Sequence, residues 1–166
     1  YSGKALDFDG VNDIITGSSS SLPASGYTIT TWFNLDTLKA SGLVWWGTDA
    51  PGQRRAMIIW NGGSGSDWFL SADGYSTNIK GSTILDTGRW YFGAVSVDSS
   101  NNAKVYLNAQ EDGSGALNLN AYTGTTYNIG KTDQPSEFND GKINGVRVFN
   151  QVLTPAQIAD LYNFPE

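Results

Sequence analysis

Asp140-Gly141-Lys142-Ile143-Asn144-Gly145-Val146-Arg147-Val148-Phe149-Asn150-Gln151-Val152-Leu153-Thr154-Pro155-Ala156-Gln157-Ile158-Ala159-Asp160-Leu161-Tyr162 decides the fold class. The spacing predicts a strand over Lys142 to Phe149, then a turn, then one short helix with a complete start signal. Thr154 is placed to cap it, Pro155 stands at the first helical position, and Gln157 closes a Thr-x-x-Gln capping box. Ile158, Leu161 and Tyr162 then share one face at helical spacing. Nothing upstream has helical periodicity. The reading is a β domain closed by one C-terminal helix.

Working back from that segment, short apolar runs alternate with turn residues. Tyr27 to Leu35 puts Tyr27, Ile29, Thr31 and Phe33 on one face and Thr28, Thr30, Trp32 and Asn34 on the other. Arg89 to Val97 and Lys104 to Asn108 flank the turn chemistry of Asp98-Ser99-Ser100-Asn101-Asn102 and form a hairpin. Lys4 to Phe8, Leu43 to Trp46, Ala56 to Trp60, Trp68 to Ala72, Asn118 to Tyr122 and Thr126 to Ile129 are further strands. Trp32 and Trp90 are assigned to the core. More than ten strands do not make one flat sheet, so two antiparallel sheets should pack face to face as a jelly-roll sandwich.

Composition narrows what such a sandwich does. The 166 residues suit a single domain, 1–166, with a real core. Ten Lys or Arg stand against sixteen Asp or Glu, for a formal charge of -6. With no basic block, nucleic acid is not an expected partner. No apolar run reaches the roughly 20 residues that span a bilayer, so membrane insertion is not expected. There are no cysteines and no histidines. Thiolate chemistry, disulfides, serine–histidine dyads and most zinc sites are thereby excluded. The chain opens at Tyr1 without a leader, as expected of a module processed or excised from a longer protein.

Four segments, in this order, resemble a laminin-G-like, concanavalin A-like jelly roll. They are Ala5 to Asp13, Tyr27 to Phe33, Gly88 to Val97 with Val105-Tyr106-Leu107-Asn108, and Asn128-Ile129-Gly130-Lys131 followed by Phe138 to Tyr162. Two places depart from the family's pattern. Ile143-Asn144-Gly145 stands where relatives often write Ile-Asp-Glu, and Leu107-Asn108-Ala109 where they often write Val-Asp-Gly. The resemblance implies the sandwich but not the function, because the fold hosts enzymes, lectins, adhesins and receptors.

The glucanases of this fold resemble a retaining design with acidic residues alternating on one strand. No Glu-x-Asp occurs. The glutamates are Glu111, Glu137 and Glu166, and none has a second carboxylate two residues away on a strand. Asp7 and Asp9 have that spacing but run into a turn. The expectation is therefore that the chain is not an enzyme.

Trp45, Trp46, Trp60, Trp68 and Tyr75 crowd a short stretch, interleaved with Arg54 and Arg55, and Gln134 lies in a long polar loop, Lys131 to Asn139. These eight are the candidate ligand-binding residues. A flat ring can cover the C–H face of a sugar while amide, carboxylate and guanidinium groups bond its hydroxyls. Paired N–H donors on Arg would also suit an acidic or sulfated sugar. Against this, sandwich cores consume tryptophan, and adjacent Trp45 and Trp46 must point to opposite faces, so one of them is core.

Asp9, Asn12 and Asp13, around Gly10, are the candidate metal ligands. A structural calcium is the cation their oxygens would take, with Asp140 as an extra ligand, and no cofactor is otherwise required. The competing explanation is an ordinary Asx-bonded turn. The expected function is a non-catalytic carbohydrate-binding or adhesion module, part of a multidomain extracellular or cell-surface protein, with a polysaccharide or glycan as partner. The alternative is a structural or protein-interaction domain of a surface or viral assembly.

Overall fold

The structure is a computed structural model and describes residues 4–63 and 65–164; Tyr1 and Glu166, both used in the sequence reading, lie outside them. The described strands are β1 (Leu6–Asp9), β2 (Ile15–Ser18), β3 (Tyr27–Leu35), β4 (Ser41–Gly47), β5 (Arg54–Trp60), β6 (Phe69–Asp73), β7 (Asn78–Lys80), β8 (Trp90–Val97), β9 (Asn102–Leu107), β10 (Gln110–Ala116), β11 (Thr126–Ile129) and β12 (Asp140–Phe149), followed by helix α1 (Pro155–Asn163). They form two six-stranded antiparallel sheets, β1-β12-β3-β8-β9-β10 and β2-β11-β4-β5-β6-β7. The fold is the all-β jelly-roll sandwich that the alternation implies, with one short helix.

Period-two alternation decides what each strand buries. In the first sheet Tyr27, Ile29, Phe33 and Leu35 of β3 and Tyr91, Val95 and Val97 of β8 point inward. They meet Val44, Trp46, Met57, Ile59, Leu70 and Ala72 from the second sheet in one continuous core. The opposite face of β8 carries Phe92 and Ala94, which would meet water if left bare. Helix α1 covers them with Ile158, itself fully buried, and with Leu161 and Tyr162. The capping box that starts the helix is complete: Gln157 N donates to Thr154 Oγ1 (3.3 Å), and Thr154 N donates to Gln157 Oε1 (2.9 Å).

Three expectations need correction. Trp32 is not between the sheets. It lies half-buried on the outer face of β3, stacked on Tyr162 at 5.6 Å, because the helix creates a second, smaller core there. Trp90, at the start of β8, is half-buried and not fully enclosed. Asn118 to Tyr122 is not a strand. The strand in that region is β10, whose Glu111-Asp112-Gly113-Ser114-Gly115 has neither alternation nor β propensity and pairs with β9 through backbone bonds across a bulge.

β9 and β10 are joined by the two-residue turn Asn108-Ala109, with φ of 50° and 66°. Both angles are left-handed, as the twist of a tight hairpin requires, and Asn accepts them more readily than Ala. Ala109→Gly is expected to raise stability by about 0.5–1 kcal/mol, because glycine removes the Cβ penalty at that φ. Urea unfolding of the two proteins checks this, and an unchanged midpoint would count against a strained turn.

Candidate functional site

Two doublets, Trp45-Trp46 on β4 and Arg54-Arg55 on β5, lie side by side. Trp46 pairs with Arg55, Trp45 with Ala56 and Gly47 with Arg54. The pleat sends one member of each doublet inward and the other outward. Trp46 is fully buried between the sheets, edge-on to Tyr27 at 5.1 Å, and its Nε1 donates to the Pro23 carbonyl (3.2 Å). Arg55 lies on the same side. Its Nε, Nη1 and Nη2 donate to the carbonyls of Ala24 (3.1 Å), Gly52 (2.8 Å) and Asn120 (2.6 Å), and its guanidinium sits 5.1 Å from the centre of the Tyr122 ring. Both side chains tie loops to the end of the sandwich, away from the outer face of the second sheet.

Arg54 and Trp45 point the other way, onto the outer face of the second sheet. Arg54 is only 7% exposed, because three segments close over it. Its Nη1 donates to Asp73 Oδ2 at the end of β6 (2.6 Å). Its Nη2 donates to Asp49 Oδ1 in the β4–β5 loop (3.0 Å) and to Asp133 Oδ1 in the loop between β11 and β12 (2.5 Å). Burial opposes the charge on Arg54, but Asp73 and then Asp133 outweigh it and raise its pKa above the ordinary arginine value. Asp133 behaves oppositely. Burial first, and the neighbouring Asp49 second, push its carboxyl above the ordinary 3.8, against the pull of Arg54.

Over this buried layer lies an accessible one. Tyr75, 43% exposed, follows the β6 end with φ of 73°, and its backbone N donates to Asp73 Oδ1 (2.7 Å). Its ring centre is 4.8 Å from the Arg54 guanidinium carbon. A cation on one ring face holds the ring in place and leaves the other toward solvent. Gln134 Nε2 donates to Asp49 Oδ2 (3.2 Å) and reaches Asp133 Oδ1 at 3.5 Å. The Asp49 side chain keeps 46% of its surface exposed. One carboxylate, one amide and one aromatic ring therefore stand together above a fixed base.

The remaining candidates divide. Trp60 is half-buried on the same outer face, in a patch with Trp45, Ala56 and Ile58. Its neighbour across the sheet, Phe69, has its ring covered by the Lys80 ammonium at 3.9 Å. Trp68 packs against the main core instead. Thus Arg54, Tyr75 and Gln134 come together, Trp45 and Trp60 share their face, and Trp46, Arg55 and Trp68 stand apart. Sequence reading missed Asp49, Asp73 and Asp133. The available signal was an aspartate in each of two loops and a third at the end of β6, around a strand-borne arginine.

The Asp9 to Asp13 segment is an Asx-bonded turn. Asp9 Oδ1 accepts from Val11 N (2.9 Å) and Asn12 N (3.2 Å), and Asp13 Oδ2 accepts from Asp9 N (3.0 Å). The Val11 N–H is the first cause that lowers the Asp9 pKa below its ordinary value. Lys39 Nζ donates to the Gly10 carbonyl (2.7 Å), and a Cβ on Gly10 would meet Asp140 at 2.7 Å. An ammonium on that carbonyl, and carboxylate oxygens engaged by the backbone, do not fit a cation that needs six to eight oxygens. Among the described residues no group of three or more Asp, Glu, His or Cys side chains is placed to hold a metal. A groove of about 370 Å³ lies between β12 and α1, lined by Phe149, Leu153, Leu161 and Phe164. It belongs to the other sheet, and Gln151, Gln157 and Asp160 complete its lining.

Arg54→Met is expected to destabilise the fold by about 3–5 kcal/mol near neutral pH, because it strands carboxylates whose charge the guanidinium balanced. The loss should shrink in acid. Asp133 holds its proton more tightly folded than unfolded, so its contribution to stability is fullest below its ordinary value and fades as pH rises through the raised folded value. Urea midpoints of both proteins across that range check it; a pH-independent difference would contradict the charge argument.

A profile of the concanavalin A-like lectin/glucanases superfamily matches residues 9–159. Domain 4 of the extracellular arabinanase AbnA from Geobacillus stearothermophilus, solved in complex with arabinotriose, superposes with a TM-score of 0.75 at 24% identity, over 97% of this chain and 77% of that one. The heptameric SAP-like pentraxin of Limulus polyphemus gives a TM-score of 0.75 at 17% identity, over 95% of this chain and 81% of that one. A protein from Bacteroides ovatus, described as carbohydrate-binding, gives 0.73 at 20% identity; 93% of this chain matches 45% of that one. At these identities the superpositions establish the fold alone. No curated protein sequence matches. Among the described residues, no helix is long and apolar enough to cross a membrane. The match over 9–159 and the two-sheet architecture agree: the chain belongs to the concanavalin A-like lectin/glucanases superfamily.

Proposed function

We propose that residues 1–166 form one non-catalytic carbohydrate-binding domain, which attaches a larger extracellular or surface protein to a glycan through the outer face of the second sheet. The observation that carries this reading is the Tyr75 ring held over Arg54, with the Asp49 carboxylate and the Gln134 amide beside it. A ring face accepts the C–H face of a sugar, and an adjacent carboxylate and amide bond its hydroxyl pairs. Trp60 extends the apolar surface along the same face. The arabinanase domain, a protein of the same fold, was crystallised with a bound oligosaccharide, which supports a sugar ligand here.

The acids of the site favour binding over cleavage. Glycoside hydrolysis needs one carboxyl free to protonate the leaving oxygen and a second free to attack or to activate water. Asp73, Asp49 and Asp133 each give one oxygen to the same guanidinium. A single shallow site of this kind binds at about millimolar to micromolar Kd, and useful attachment then comes from tethering or repetition.

Tyr75→Ala and Trp60→Ala are each expected to weaken glycan binding about tenfold, or about 1.4 kcal/mol. Trp68→Phe, on the core side, should leave affinity unchanged. Calorimetry against plant, algal and bacterial polysaccharides, with circular dichroism to confirm folding, provides the measurement. Release of reducing ends by the purified protein would overturn the non-catalytic part of the proposal.

A further inference from the structure

We propose that this site takes uncharged, hydroxyl-rich glycans and turns away sulfated or uronic-acid polymers. The inference rests on the glycan reading above and adds its charge selectivity. Arginine at a sugar site ordinarily suggests an anionic ligand, because its paired N–H groups match a carboxylate or sulfate. Arg54 is not available for that. Both Nη atoms donate to aspartates, its surface is 7% exposed, and Tyr75 lies across its guanidinium. Arg55 is spent on three backbone carbonyls on the other side of the sheet.

Charge counting gives the sign. Asp49, Asp73 and Asp133 carry three negative charges around the one positive charge of Arg54. Lys80 lies farther along the face, its ammonium over the Phe69 ring beside Trp60. In the Gln134 loop the further cation is Lys131, whose Nζ donates to the carbonyls of Thr132 (2.9 Å) and Gln134 (2.7 Å). Counting it as well, the assembly stays net negative, on a chain whose own charge is -6. The accessible member of the cluster is a carboxylate, Asp49, and not a cation.

Hydrogen-bond capacity points the same way. Trp45 Nε1, Arg54 Nε, Ser71 Oγ and Asp133 Oδ2 are buried on or over this face without a hydrogen-bond partner. The residues Trp45, Arg54 and Ser71 are all more than nine-tenths buried. The set mixes donors with acceptors. Those atoms are closed to a ligand, and the accessible groups above them make the choice: Asp49 only accepts, while the Gln134 amide also donates. A hydroxyl can meet both, whereas a sulfate or carboxylate only accepts and would set its charge against the aspartates.

The test uses matched polymers: hydroxyethyl cellulose with carboxymethyl cellulose, agarose with carrageenan, and linear arabinan with polygalacturonate. Affinity electrophoresis and calorimetry at low salt should show binding to at least one neutral polymer and about tenfold weaker binding to its anionic partner. The gap should narrow as salt screens the site. Asp49→Asn, which removes one exposed negative charge, should narrow it further while the protein stays folded. Equal or tighter binding of the anionic partner at low salt would overturn the selectivity and leave glycan capture standing. Binding to no polymer, neutral or charged, by folded protein would overturn the glycan reading and this inference with it.

Discussion

The strictest constraint on this molecule is the pleat of a β-strand, which sends neighbouring residues to opposite faces. Its effect is plainest at the two doublets. Trp45-Trp46 and Arg54-Arg55 are pairs of identical residues in sequence, yet each pair is split into one structural member and one facing the candidate site. Trp46 and Arg55 hold the sandwich end together from within. Trp45 and Arg54 furnish the outer face. A one-residue slip of β5 against β4 would exchange these roles and place the ion cluster in the apolar core. The core and the site therefore depend on the same register.

The two sheets solve the problem of their outer faces differently. The first sheet has Phe92 and Ala94 on its outside, and α1 is laid over them. Among the described residues no helix covers the second sheet. Its outer face is closed in part by loops, drawn inward by the ion cluster at Arg54. Buried charge of this kind is weak evidence of net stability, because desolvation offsets the attraction. The geometry is what it secures. Asp49, Tyr75 and Gln134 belong to three separate turns and would otherwise wander independently.

Much of this was legible from residue order. The capping box at Thr154 and Gln157, the faces of β3 and β8, and the need for two sheets all follow from periodicity and turn chemistry, which are local properties. β10 was not legible, because Glu111 to Gly115 pairs at an edge through its backbone and buries little. Trp32 packs into the smaller core under α1 and not between the sheets, because alternation names a face without saying what covers it; only the position of α1 does that. At the candidate site, Arg54, Tyr75 and Gln134 were recognisable by residue type. Asp49, Asp73 and Asp133 were not, since aspartate in a turn is commonplace and nothing local marks three of them as converging on one guanidinium.

That convergence makes the three segments a unit. In many scaffolds a loop can be exchanged alone, since its ends are fixed and its tip is free. Here the segments carrying Asp49, Asp73 and Asp133 share a single hub on β5. Replacing one loop takes a carboxylate from the guanidinium that seats the other two and so disturbs their anchor. Retuning this scaffold for a new ligand therefore means moving three loops and their arginine together, or rebuilding the hub first.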